Sequence, residues 1–162
     1  MELRPILETD RQVFLDILTH EAVKATYMLP DFETREAAGP LFLRLVKLSR
    51  EDGRFVRAIC KEGRVVGFLN DVEIQNGSIE LGYVIHPDHW GRGYATDALK
   101  LALGELFALG YREVRAGAFA ENTASLRVME KAGMEKLAET EEIEYRGKVH
   151  ACIYFRSTAP CK

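Results

Sequence analysis

Cysteine is scarce. The chain has three in 162 residues, Cys60, Cys152 and Cys161, an odd number with no CxxC spacing. That set suggests neither a disulfide framework nor a zinc site, and no metal is expected. Cys60 and Cys152 lie inside apolar runs and read as small buried hydrophobes, and Cys161 lies in a tail. No His–Asp or His–Asn pattern marks a nucleophilic thiol. Long apolar runs are missing too. Nothing approaches the roughly 18 residues needed to span a bilayer, and no signal-peptide pattern opens the chain. A cytoplasmic protein without a membrane partner is the expectation. Nor is there an excess of positive charge: 22 Lys and Arg against 25 Asp and Glu leave a formal net charge of −3. This argues against a broad nucleic-acid surface, since phosphate backbones are held by clustered cations. A local anion site built from backbone N–H groups is not. Repeats, low-complexity stretches and Pro/Gly/Ser linkers are absent as well, so residues 1–162 read as a single domain. Its 47% hydrophobic and 29% charged residues suit a globular chain with a sizeable core.

Hydrophobic periodicity and turn residues lay out the elements. A short strand over Glu2–Ile6 precedes a helix that Thr9 can cap, with Phe14, Ile17 and Leu18 inward. His20–Asp31 gives no clear element signal and includes loop. A second helix covers Thr34–Arg50, with Leu41, Leu45 and Leu48 at helical spacing; Pro40 is either an early-turn proline or a kink. Strands over Arg54–Cys60 and Val65–Ile74 flank a turn at Glu62-Gly63. Asn76-Gly77 is a strong hairpin signal leading into Ser78–Ile85. Gly93–Leu109 carries an apolar helical face of Ala95, Ala98, Leu99, Ala102, Leu106 and Leu109, stopped by Gly110. Glu113–Ala118 is a strand and Thr123–Ala132 a helix closed by Gly133. Strands over Lys136–Tyr145 and Val149–Arg156 surround Arg146-Gly147. The order is that of an α/β (α+β) layout, with antiparallel meanders flanking one β-α-β crossover.

That crossover, Ser78 to Ala118, carries the most informative residues. A strand ends, a loop containing Trp90-Gly91-Arg92-Gly93 follows, and a helix starts at Tyr94-Ala95-Thr96. Free N–H groups and a positive dipole end make a helix N-terminus receptive to anions. Gly91 and Gly93 let a phosphate approach the backbone, and Arg92 adds a mobile charge. A lone G-x-G would read as a tight turn only. There is no G-x-x-x-x-G-K-[ST] for a P-loop, and Thr96 stands where a dinucleotide fingerprint has its third Gly or Ala.

The loop resembles the Q/R-x-x-G-x-G/A signature of the GNAT superfamily of N-acetyltransferases, although Trp90 departs from the usual Gln or Arg. The fuller string His86-Pro87-Asp88-His89-Trp90-Gly91-Arg92-Gly93-Tyr94-Ala95-Thr96 resembles the branch that acetylates ribosomal-protein N-termini. A second segment, Asn122 to Met134, is similar to the family's N-x-x-[AS]…K-x-G-[FM] pattern through Asn122, Ser125, Lys131 and Gly133. Asn122 or Thr123 would also serve simply as a helix cap. The resemblance implies the GNAT fold, a mixed and mostly antiparallel sheet of about six to seven strands with about four helices. It also implies acetyl-CoA as cosubstrate, with its diphosphate on Trp90–Thr96, its pantetheine beside Val84 and Ile85, and a further contact from Asn122. Many relatives carry a Tyr general acid where Met129 stands; here Ser125 takes that place.

Amine acetylation needs a proton acceptor, because an amine near neutral pH is mostly charged. Strand alternation puts Glu80, Gly82 and Val84 on one face and Ile79, Leu81, Tyr83 and Ile85 on the other. Glu80 matches the family's catalytic strand position, and equally reads as an ion-paired or solvated strand residue. Direct attack in a ternary complex is expected, on an amine acceptor that is either a protein N-terminus or a small molecule. A homodimer is compatible with this branch. The rivals are a noncatalytic acyl-CoA sensor and a nucleotide-binding protein using the same loop.

Overall fold

Three tight turns, each ending in glycine, set the strand hairpins. Glu62-Gly63, Asn76-Gly77 and Arg146-Gly147 all have positive φ at both residues. This is the turn whose twist matches paired strands. The structure, a computed structural model, describes residues 1–161. Its strands are β1 (Glu2–Arg4), β2 (Arg57–Lys61), β3 (Arg64–Gln75), β4 (Ser78–Ile85), β5 (Glu113–Phe119), β6 (Glu135–Tyr145) and β7 (Lys148–Thr158). They form one seven-stranded sheet in the order β1-β2-β3-β4-β5-β7-β6. The β4–β5 pair is parallel, while β1–β2, β2–β3, β5–β7 and β6–β7 are antiparallel. The expected mixed α/β architecture is what folds.

The helices are α1 (Arg11–Thr19), α2 (Glu21–Lys24), α3 (Gly39–Leu48), α4 (Tyr94–Ala108) and α5 (Thr123–Lys131). Several expected boundaries need correction. The short α2 falls in the stretch without a clear signal, where His20 Nδ1 accepts from the Ala22 N–H at 3.2 Å, and the remainder to Asp31 is loop. Asp10, not Thr9, organises the approach to α1: it accepts the Leu7 N–H at 2.8 Å and both Arg4 guanidinium nitrogens. Pro40 sits in the first turn of α3, where its missing N–H is harmless. The strand β2 begins at Arg57 rather than Arg54. Leu109, expected on the inner face, lies just past the end of α4 and is 66% exposed, while Leu103 is buried.

The chain divides into two compact units. The first comprises Met1–Asn70 and Tyr83–Tyr94. Its core is built on Phe14, whose ring packs 5.4 Å from Phe42 and 5.3 Å from Phe68, with Ile6, Val56, Ala58 and Val84 buried around them. The second comprises Asp71–Gly82 and the chain from Ala95 onward. There Ile79, Leu81, Val114, Ala116, Leu99, Leu106, Met129 and Phe155 are buried.

The strict alternation expected along β4 does not hold. Val84 and Ile85 are both buried, at 7% and 6% exposure. Within the first unit Gly67 closes against this stretch: a Cβ there would lie 2.1 Å from the Val84 carbonyl oxygen and 3.0 Å from Ile85 Cα. Such contact tolerates no side chain. Gly67→Ala is therefore expected to lose about 3 kcal/mol, the upper end of overpacking costs. Gly104→Ala, in α4 with nothing within 4 Å of the new methyl, should gain about 0.5–1 kcal/mol from helix propensity. Urea denaturation of the two variants checks the pair; an unperturbed Gly67→Ala would contradict the close approach.

Candidate active site

The loop after β4 is held at both ends. The His86 N–H donates to the Val66 carbonyl at 2.8 Å. A one-turn 3-10 helix, Pro87–His89, follows, with His86 Nδ1 accepting from the Asp88 N–H at 3.1 Å. Trp90 is half exposed, yet its indole N–H donates to the Ile85 carbonyl at 2.7 Å. The Trp that departs from the family signature thus braces the strand end. Gly91 and Gly93 have φ of 76° and 78°, and open space lies where a Cβ would stand. Arg92 between them is exposed, and α4 starts at Tyr94, followed by half-buried Ala95 and Thr96. A diphosphate fits such a loop: the glycines leave the backbone open, and the first-turn N–H groups of α4 are those a helix leaves unpaired.

The backbone of β4 adds a direction. His86 pairs its N–H toward β3, and the Val84 carbonyl faces Gly67 on the same strand. Ile85, between them, gives its carbonyl to the Trp90 indole N–H.

In the second unit the strand registers gather a polar face. Glu80 lies opposite Arg115, Gly117 opposite Tyr154, and Cys152 opposite Glu141. Directly paired residues share a side, so these six groups face one way. Glycine at 117 is required, since a Cβ would meet the Tyr154 ring at 2.8 Å. The Tyr154 hydroxyl donates to Glu141 Oε2 at 2.6 Å, and the Arg115 guanidinium lies over the Tyr154 ring at 5.6 Å. Arg115 spends its charge on Glu139, at 2.7 Å.

Glu80 is half buried and, among the described residues, has no ion-pair partner. Of the alternatives open for it, the ion pair is not what forms. Burial pushes its carboxyl above the ordinary range, Glu73 and Glu141 push further, and Arg115 opposes them. Burial likewise raises the Tyr154 phenol, which Glu141 and Cys152 reinforce, so the phenol stays a hydrogen-bond donor. Burial raises the Cys152 thiol too, leaving it neutral and poorly nucleophilic.

Asn122 does serve as the cap of α5, its Oδ1 accepting from the Ser125 N–H at 3.2 Å, with Ser125 half buried in the first turn. Beside that cap, Glu121 bonds His150 Nδ1, and the His150 ring stacks on Phe119 at 4.2 Å. Sequence reading missed Tyr154, Glu141 and His150. The period-two spacing of His150, Cys152 and Tyr154 along β7 was the available signal. Among the described residues no group of three or more His, Cys, Asp or Glu is arranged to hold a metal, and no helix is long and apolar enough to cross a membrane.

Residues 1–135 match the family model for the acetyltransferase (GNAT) domain, and the chain belongs to that family. It is an acetyl-CoA-dependent N-acetyltransferase. The chain is 27% identical over 159 residues to the uncharacterized N-acetyltransferase YoaA of Bacillus subtilis (strain 168), spanning 88% of this chain and 89% of that one. Its fold is similar to that of Mycobacterium smegmatis RimJ, solved with CoA-disulfide (TM-score 0.85, 20% identity, 97% of this chain and 81% of that chain). It is also similar to spermidine N-acetyltransferase from Vibrio cholerae, solved with CoA and spermine (TM-score 0.82, 16% identity, 98% and 95% of the two chains).

The raised Glu80 carboxyl has a consequence for stability. A carboxyl with a higher pKa folded than unfolded costs stability as pH rises through that window, because the unfolded chain releases the proton first. Below the unfolded value of about 4.3 the cost vanishes. Glu80→Gln should therefore stabilise the protein at about pH 8 and not at about pH 4, by urea denaturation. Equal effects at both pH values would show that Glu80 titrates normally.

Proposed function

We propose that this enzyme transfers acetyl from acetyl-CoA to the α-amine of a protein N-terminus, with ribosomal proteins as the first class to test. The observation that carries the chemical part is a half-buried Glu80 with a raised carboxyl and no ion-pair partner among the described residues. A base tuned upward accepts an ammonium proton more effectively than an ordinary glutamate. The acceptor rests on the resemblance of His86–Thr96 to the ribosomal-protein branch, and the likeness to M. smegmatis RimJ is consistent with it.

In this reading Trp90–Thr96 hold the diphosphate end of acetyl-CoA, and Val84 and Ile85 line its pantetheine. A backbone N–H near Val84 and Ile85 polarises the thioester carbonyl as its oxygen gains charge. Glu80, directly or through one water, takes the amine proton. The amine attacks the carbonyl carbon and the C–S bond breaks. The Ser125 hydroxyl hydrogen-bonds the departing sulfur, and Asn122 holds the first turn of α5 in place for it. No acyl-enzyme is required. Residues 1–162 act as one cytoplasmic domain that needs no metal, and a homodimer is compatible with the reading.

One observation favours a second acceptor class. Glu73 on β3 and Glu141 on β6 both bear on the charge of Glu80 on β4, and such a group of carboxylates suits a small polyamine. Spermidine therefore belongs in the acceptor panel beside N-terminal peptides.

Thiol release from acetyl-CoA over that panel is the test. Wild type should acetylate N-terminal peptides with intersecting initial-rate patterns. Glu80→Gln should lose about 10²–10⁴-fold in kcat/KM with CoA binding intact, and Ser125→Ala about tenfold, the worth of one hydrogen bond. Gly93→Trp, strained at positive φ and filling the loop, should lose CoA binding. A trapped acetyl-enzyme with parallel patterns would sink direct transfer; turnover of spermidine alone would replace the acceptor.

A further inference from the structure

The β2–β3 hairpin ends in two cations side by side. Lys61 and Arg64 are Cα partners across the turn of Glu62 and Gly63. Like charges placed directly opposite destabilise a strand pair, so this arrangement asks for an anion. The protein does not supply it: among the described residues no carboxylate pairs with Lys61, Arg64 or Arg92, although the chain has 25 Asp and Glu.

The pair is turned toward the start of α4. Lys61 Nζ stands 5.9 Å from the Tyr94 ring, and the His89 ring is 6.2 Å from it on the same unit. His89 is held below the usual histidine range by burial, then by Arg92 and His86, with Arg64 contributing. Its Nδ1 is buried without a hydrogen-bond partner among the described residues. Arg64 from the hairpin and Arg92 from the loop therefore act on the same side chain, with Asp88 opposing them.

We propose that Lys61 and Arg64 recognise the ribose 3′-phosphate of CoA, separately from the diphosphate at Gly91–Thr96. The inference rests on the reading that the loop holds that diphosphate. Backbone N–H groups there suffice for two phosphates bridged in a chain. A phosphate monoester is different: it carries about −1.5 to −2 charge near neutral pH and three strong acceptor oxygens. Long, mobile cations making charge-assisted hydrogen bonds suit such a group. Lys61 and Arg64 are thus specificity residues that distinguish CoA from its 3′-dephospho form.

Calorimetric titration of the full-length protein with CoA and with 3′-dephospho-CoA tests this, for wild type and for Lys61→Gln/Arg64→Gln, with thermal melts confirming that both fold. Wild type should bind CoA about tenfold tighter or more, a preference that shrinks as salt rises. The double variant should lose the preference while holding 3′-dephospho-CoA as wild type does. Equal affinity of wild type for both ligands would overturn the inference. So would a variant that weakens both alike, since the cations would then serve the shared diphosphate. Binding of neither ligand by wild type would instead overturn the loop assignment, and this inference with it.

Discussion

The close approach of Gly67 to the Val84 carbonyl constrains the part of the molecule that matters most for chemistry. With no side chain at 67, β3 and the end of β4 draw together until a methyl group could not fit. The His86 N–H then reaches Val66, and the loop beyond starts from a fixed point. Trp90 ties the same strand end from the other side through the Ile85 carbonyl. Gly91 and Gly93 are free to hold positive φ in open space because the residues before them are anchored. A flexible loop would have to order itself around a diphosphate on binding. This one is set beforehand, and less ordering entropy is lost.

Charge is partitioned against the net sign of the chain. An acidic protein keeps Lys61, Arg64 and Arg92 unpaired in the first unit, while in the second it neutralises Arg115 with Glu139. Both choices have the same logic. A cation meant for a ligand phosphate is weakened by a resident carboxylate, and a glutamate meant to accept a proton is weakened by a resident guanidinium. Glu80 sits directly across from Arg115 in the sheet register, yet burial and then Glu73 outweigh that guanidinium, which is paired with Glu139, and the carboxyl stays raised. Tyr154, stacked under Arg115 and bonded to Glu141, holds that arrangement in place.

Much of this was legible in the sequence wherever the signal is local. Asn76-Gly77 marks a turn because only a few residue types accept positive φ, and the glycines around Arg92 announce a close backbone approach for the same reason. The β-α-β unit and its loop were placed correctly from such signs, and so was the cap at Asn122. What failed was what depends on neighbours in space. Alternation along β4 breaks at Val84 because another strand presses on it. The surroundings of Glu80 were legible only in part: the Asn76-Gly77 hairpin places Glu73 beside it, but Glu141 reaches it only through sheet register, and no spacing in the chain encodes that Arg115 is already engaged.

The buried electrostatics also explain why such a site is costly to keep. A carboxyl pushed above its ordinary range is a destabilised carboxylate at neutral pH, and each charge that raises it adds to the burden. A protein selected only for stability would place glutamine at 80, or turn Arg115 toward it. The sheet face instead retains Glu80 beside two other carboxylates, with its one nearby guanidinium committed elsewhere. That combination opposes folding and favours proton acceptance, which is what the base role proposed for Glu80 requires.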